Sequence, residues 1–314
     1  MLVNKLIMNK KFALYISLTI IILFMLFIVY DTMTRNNVAI DQKIITLPDE
    51  QHEAMWEITA ELVAPYGDLK AVATTDKGVL IGGDSFIALY NYDLKLLWNN
   101  SLNNPIDAIA AYGDTIYAGT IETILLFTSE GEQIDEWGPF DDNSIITSIA
   151  ANRDYVAIAD AGNKLVFVLD KAGALVSLVG QPGNQYVIPS PYFDVAFSDN
   201  EILVTANTGK RNIEFRTING EITSYFGEAG TALEYFCGCC NPSHFAFLPG
   251  GSLVTAEKGI NRIKIVEPDG DLVELVAQPE QFTAFVPVDL TVSRENLIYA
   301  ANPANSTLYV FKRK

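Results

Sequence analysis

DAIAAYGDTIYAGT, residues 107–120, reads as an apolar strand, a polar turn and a second apolar strand. Four further stretches fall under it without a gap: TSIAANRDYVAIAD (147–160), DVAFSDNEILVTAN (194–207), HFAFLPGGSLVTAE (244–257) and DLTVSRENLIYAAN (289–302). KAVATTDKGVLIGGD (70–84) is a sixth copy with one inserted residue. Each copy is followed by a third strand and a turn, as in LLFTSEG, FVLDKAG, EFRTING and KIVEPDG, and then by a fourth strand such as ELVAQPE or SYFGEAG. Four short strands repeated at this spacing are the pattern of a propeller blade, because one blade cannot bury its faces alone and stacking neighbours does so. Six copies predict an all-β, six-bladed β-propeller.

The ends of the repeat predict how the ring closes. The last copy stops at STLYVFKRK after its third strand, so its sheet lacks an outer strand. WEITAELVAPYGD (56–68) can supply one, since its ELVA at 61–64 repeats the ELVA at 274–277 in a fourth strand. A strand from about 56–64 that completes the last blade would remove an open seam.

Working outward from the repeat, residues 12–30, FALYISLTIIILFMLFIVY, carry no charge and are long enough to cross roughly 30 Å of hydrocarbon as a helix. Lys5, Lys10 and Lys11 precede the run, which places the N-terminus in the cytoplasm by the positive-inside rule. VYDTMT after the run offers no small-residue cleavage site, so the expectation is an uncleaved signal anchor. The predicted organisation is a cytoplasmic tail at 1–11, a transmembrane anchor at 12–30, a tether at 31–54 and the propeller at 55–314. That is a single-pass membrane protein with an extracytoplasmic domain, periplasmic or extracellular. The formal net charge of −17 excludes nucleic acid as a partner, since phosphate binding requires a basic face.

ADAGNKLVFVLDKAG (159–173) and AEKGINRIKIVEPDG (256–270) resemble the NHL-repeat propellers, whose blades carry an Asp or a similar residue, a Gly/Asn-rich turn, an Arg-Ile-like strand and a DG turn. The resemblance covers roughly residues 56–314 and implies a scaffold shared by binding modules and a few enzymes. Zinc lyases of this type use several channel histidines. This chain has two, His52 in the tether and His244, so that site does not carry over.

The alignment defines two rings of equivalent positions on one face of the propeller. At the start of the first strands stand Lys70, Asp107, Thr147, Asp194, His244 and Asp289. At the ends of the second strands stand Asp84, Thr120, Asp160, Asn207, Glu257 and Asn302. Both rings are expected to converge on the channel mouth, although Asp and Asn at such positions also bond turn amides. FCGCCNP (236–242) lies in the link between blades four and five, over the same face, and holds all three cysteines.

Three chemistries compete for that link. Cys237, Cys239 and Cys240 with His244 would ligate a transition metal or an iron–sulfur centre. A disulfide would join Cys237 to Cys240, or the adjacent Cys239 and Cys240, with one cysteine left over. Small buried apolar side chains are the third reading. Two functions follow. One is a binding module that presents this face to a protein or peptide, with Tyr186, Tyr192 and Phe193 of the link QPGNQYVIPSPYF (181–193) exposed on it and a metal or redox site at the Cys/His loop. The other resembles the calcium-dependent six-bladed lactonases, with Asp194, Asn207, Glu257, Asp289 and Asn302 holding calcium at the channel mouth.

Overall fold

A computed structural model describes residues 12, 14–28, 30, 53–181, 183, 185–198 and 200–314. The chain divides into two compact units, Met1–Glu50 and Gln51–Lys314. In the first, residues 12, 14–28 and 30 are helical. Among the described residues no helix is long and apolar enough to cross a membrane. The transmembrane span expected at 12–30 is therefore not found among the described residues. The tail at 1–11 and all of the tether as far as His52 lie outside the described residues.

In the second unit the described residues form six antiparallel four-stranded sheets. Blade one comprises Leu69–Thr75, Gly78–Gly83, Phe86–Tyr90 and Leu96–Ser101, and blade five His244–Phe247, Leu253–Ala256, Ile263–Val266 and Leu272–Ala277. Blades two, three and four follow the same order, each sheet running from inner to outer strand in chain order. The sixth sheet differs, because Trp56–Val63 from the start of the domain pairs antiparallel with Thr307–Arg313 as its outer strand. Trp56 Nε1 donates to Glu274 Oε1 at 3.0 Å and ties that strand to blade five as well.

The strand composition follows from position in the blade. Second and third strands are covered on both faces by neighbouring blades and read as continuous apolar runs, such as the fully buried GVLIGG (78–83) and FIALY (86–90). Fourth strands face water, and QIDEW (133–137) is almost entirely exposed. Six apolar clusters fill the six gaps between blades; in one, Leu80 and Ile87 of blade one meet Ile109, Ile116 and Phe127 of blade two.

The turns after the third strands of blades two to five share a packing role. Gly131 and Gly173 sit at φ 88° and 82°, the left-handed region that glycine tolerates. A Cβ there would come within 2.7 Å of Trp98 and 2.8 Å of Trp137, each reaching over from the preceding blade. Val179 over Gly220 and Phe226 over Gly270 repeat the contact in the next two blades. The large residue at the end of one outer strand thus caps the glycine turn of the next blade.

Candidate functional site

The link from Phe226 to His244 is far longer than the one from Ser101 to Ala108, and a long loop over a propeller face needs something beneath it. Blade five supplies a buried ion cluster. Glu257, 1 % exposed, receives Arg262 Nε at 2.6 Å and Lys264 Nζ at 3.1 Å. The same carboxylate accepts the Cys237 backbone N–H at 2.9 Å. Arg262 also donates to the carbonyls of Ala232 and Tyr235 at 3.0 and 2.8 Å, and Lys264 to those of Leu233 and Tyr235 at 2.7 and 2.6 Å. Burial pushes the Lys264 ammonium down to about 8, with Glu257 opposing the shift. The link is thus wrapped around two cations whose shared counter-ion also holds its chain.

Asn241 finishes the wrapping. Its side chain donates to the carbonyls of Cys237 and Lys258 and accepts the Lys258 N–H at 2.7 Å. Its own N–H reaches Thr208 O at 3.2 Å, and Arg211 Nη1 donates to Gly238 O at 3.3 Å from blade four. What this clamp presents is Cys239, exposed, with Cys240 buried beside it and their sulfurs 3.2 Å apart. Ser190 Oγ donates to Cys240 Sγ at 2.8 Å. Cys237 is buried, its thiol pushed up by burial and by Glu257.

His244 faces elsewhere. Its Nδ1 lies 3.2 Å from Asp289 Oδ1 and 4.0 Å from Asp194 Oδ2, within ion-pair reach of both carboxylates. The four-ligand metal site expected from Cys237, Cys239, Cys240 and His244 is therefore not assembled, because the imidazole turns to the channel carboxylates. Among the described residues no three Cys, His, Asp or Glu side chains are placed to hold a metal ion. Nor are the cysteines merely small buried residues, since Cys239 is exposed.

The first ring does stand around the channel, and it works as a set of staples between blades. Asp194, buried, accepts Ser148 Oγ of blade three at 2.5 Å and the Phe245 N–H of blade five at 2.6 Å. Asp289 accepts the Val72 N–H of blade one at 2.8 Å, and Thr147 Oγ1 donates to Phe193 O at 2.6 Å. Burial pushes the Asp194 carboxyl up to about 6, with His244 pulling it down and Asp289 adding to the rise. Burial opposes charge on His244 too, but the two carboxylates prevail and hold the imidazole above its usual value. The channel at this ring holds a cavity of about 320 Å³, lined by Thr147, Ser148, Asp194 and Asp289 together with Ala, Val, Ile and Phe side chains. Lys70 spans Asp84 and Asp107 at 3.0 Å each at the more open side of the ring.

Apart from Asp84 on Lys70, the second ring does not converge on the channel. Asn207 binds the Val187 N–H and donates to Glu214, Thr120 pairs with Thr123, and Asn302 accepts the Ala304 N–H. Asp160 accepts the N–H groups of Ile145, Gly162 and Asn163. These are turn-fastening contacts, so Asn207, Glu257 and Asn302 are withdrawn from any shared calcium shell, and only Asp194 and Asp289 of that expected set meet. The aromatics of the 181–193 link also divide. Tyr186 and Phe193 are 2 % and 1 % exposed and pack on each other between blades, leaving Tyr192 alone part-exposed under Lys258 Nζ at 4.5 Å.

One surface residue escaped the sequence reading. Phe285, in the link between blades five and six, is 69 % exposed at φ 67°. A bulky side chain in the left-handed region is costly, and the buried Asn261 enforces it by accepting the Phe285 N–H at 3.0 Å and donating to Val286 O. Phe285 lies next to Gly259, in the same turn as Lys258.

No family model matches the chain, and no curated protein resembles it in sequence. Solved structures do. A protein of unknown function from Bacteroides thetaiotaomicron superposes with a TM-score of 0.63 at 14% identity, covering 81% of this chain and 72% of that one. The streptogramin B lyase structure gives 0.59 at 10% identity, with 83% and 100% covered. The WD40 β-propeller domain of Doa1 gives 0.58 at 11% identity, with 82% and 97% covered. At these identities the likeness is one of fold, and it establishes a β-propeller scaffold that carries different activities.

Proposed function

We propose that the protein is an NHL-like binding module that offers its link face to a protein partner. One observation carries the reading: Phe285 is held out into solvent in a strained conformation by a buried Asn261, against the Gly259 turn whose Lys258 covers the Tyr192 ring. Strain of this kind persists only where surrounding structure enforces it, and it clusters at contact sites. An exposed aromatic flanked by a cation and a second aromatic has the composition of an interface centre. The NHL-like character is supported by the Arg262–Ile263 strand followed by the Asp269–Gly270 turn. Membrane attachment, with the N-terminus cytoplasmic and the propeller extracytoplasmic, is supported by the charge-free run 12–30, whose described side chains are all exposed. So much apolar surface is stable only when lipid or another apolar surface covers it.

A photo-reactive side chain placed at position 285 of the full chain in intact cells tests the reading, with one at the exposed Ile134 of blade two's outer strand as the control. A discrete protein adduct from 285 and none from 134 is expected. Equal labelling from both positions, or none from 285, would remove it.

A further inference from the structure

We propose that Cys239 and Cys240 form a redox-active dithiol that exchanges with disulfides, small or on a partner protein, by closing to a vicinal disulfide. The sulfurs stand 3.2 Å apart, so bond formation needs an approach of only about 1 Å. Their environments are opposite: Cys239 is exposed and Cys240 is 3 % exposed. The chain on either side is fastened through the Cys237 N–H on Glu257 and through Asn241 on Thr208, Cys237 and Lys258, so the pair cannot drift apart. Ser190 is the group that favours charge on the inner sulfur, donating to Cys240 Sγ at 2.8 Å. Burial pushes the Cys240 thiol up, Ser190 and Lys258 oppose the shift, and Cys239 adds to it.

The division of labour follows from access. Cys239 loses its proton to water and its thiolate attacks one sulfur of the incoming disulfide. That S–S bond breaks, one thiolate departs and takes up a proton, and Cys239 is left in a mixed disulfide. Cys240 then loses its proton, attacks Cys239 Sγ and expels the second thiolate. In sum two protein thiols are oxidised to one disulfide and one external disulfide is reduced to two thiols. The eight-membered ring made by adjacent cysteines is strained, which makes the closed form easy to reopen by an external thiol, and so suits turnover better than a permanent staple. Cys237, held beneath the loop, takes no part.

The reduced full chain is incubated with glutathione disulfide and followed by intact mass, released glutathione and peptide mapping. The expected product has lost the mass of two hydrogens, releases both halves of the reagent as thiols, and carries a Cys239–Cys240 link. Cys239→Ser abolishes the reaction, Cys240→Ser stops at a glutathione adduct on Cys239, and Cys237→Ser reacts as the unsubstituted chain does. Ser190→Ala slows ring closure roughly tenfold and moves the rate–pH profile of that step upward, as loss of a hydrogen bond to a charged sulfur requires. A stable glutathione adduct on the unsubstituted chain, a Cys237–Cys240 link, or unreacted thiols would overturn the proposal. Phenylarsine oxide, which bridges paired thiols, gives a readout that needs no substitution: one equivalent should bind the reduced chain and block exchange, and failure to bind contradicts the proposal. The chemistry shares its face with the binding reading but is measured without a partner. Normal exchange with no adduct from position 285 removes the partner and keeps the dithiol; the converse does the opposite.

Discussion

Glu257 in blade five and Asp84 in blade one occupy equivalent places at the end of the second strand, and both neutralise lysine. Glu257 does so in the dry, meeting Lys264 and Arg262 at 0% and 2% side-chain exposure, beneath the long link that carries the cysteines. Asp84 meets Lys70 with side chains 47% and 33% exposed, next to a short link with little to hold. The same ring position is thus an anchor where a loop must be fixed and a surface ion pair where none must be. Blade four repeats the anchored version. Arg216 lies buried with Glu214 at 2.5 Å, stacks on Tyr186 at 4.7 Å and reaches Gln185 of the preceding link at 2.7 Å.

The two acidic residues differ most in what their loss would cost. Glu257→Gln leaves Arg262 and Lys264 buried without their counter-ion, and the expected loss is about 3–5 kcal/mol, on the order of 10 °C in Tm by calorimetry. Asp84→Asn should cost at most about 1 kcal/mol, since Lys70 remains solvated and the pair is screened by salt. Equal losses at the two positions would erase the distinction.

The channel staples give the next effect. Asp194 is raised in the fold from 3.8 to about 6, so the folded state binds more protons across that window and stability falls as pH rises through it. His244, raised above 6.5, continues the fall at higher pH. Up to about 3 kcal/mol is at stake for Asp194, and Asp194→Asn should flatten the Tm profile between about pH 4 and 6. A smaller change sharpens the picture at the link face. Phe285→Gly should raise stability by about 1 kcal/mol by removing the left-handed strain. A destabilised Phe285→Gly would mean that the aromatic ring is a packing element after all.

The repeat was legible because a propeller reuses one period, and the gapless copies at 107–120 and 147–160 map onto paired strands in adjacent blades. The location of FCGCC in a link on the ring face followed from the same alignment. The direction of side chains at the ring did not. Glu257 lies one residue past its strand, where a turn can aim it at the channel or beneath the neighbouring link, and the choice was made by charges on the third strand. That signal was present: third strands elsewhere are apolar, as in LLF and FVL, whereas NIEFR and RIKIV carry Glu214, Arg216, Arg262 and Lys264 into a buried layer. Charge at an inner-strand position is costly unless paired, so it marks where a partner must come from the adjoining link. His244 illustrates the converse. Four residues after Cys240 it is close in sequence to the sulfurs, but as the first residue of an inner strand it points to the channel with Asp194 and Asp289.

The link between blades four and five is a fixed platform fastened from below by the Glu257 cluster. Amide hydrogen exchange of the full chain tests it most directly. The amides of Cys237 and Asn241 should be protected to nearly the level of the blade-five strands, and should lose that protection in Glu257→Gln while blades one to three keep theirs. Exchange at those two amides as fast as in an open turn, in the unsubstituted protein, would contradict the account.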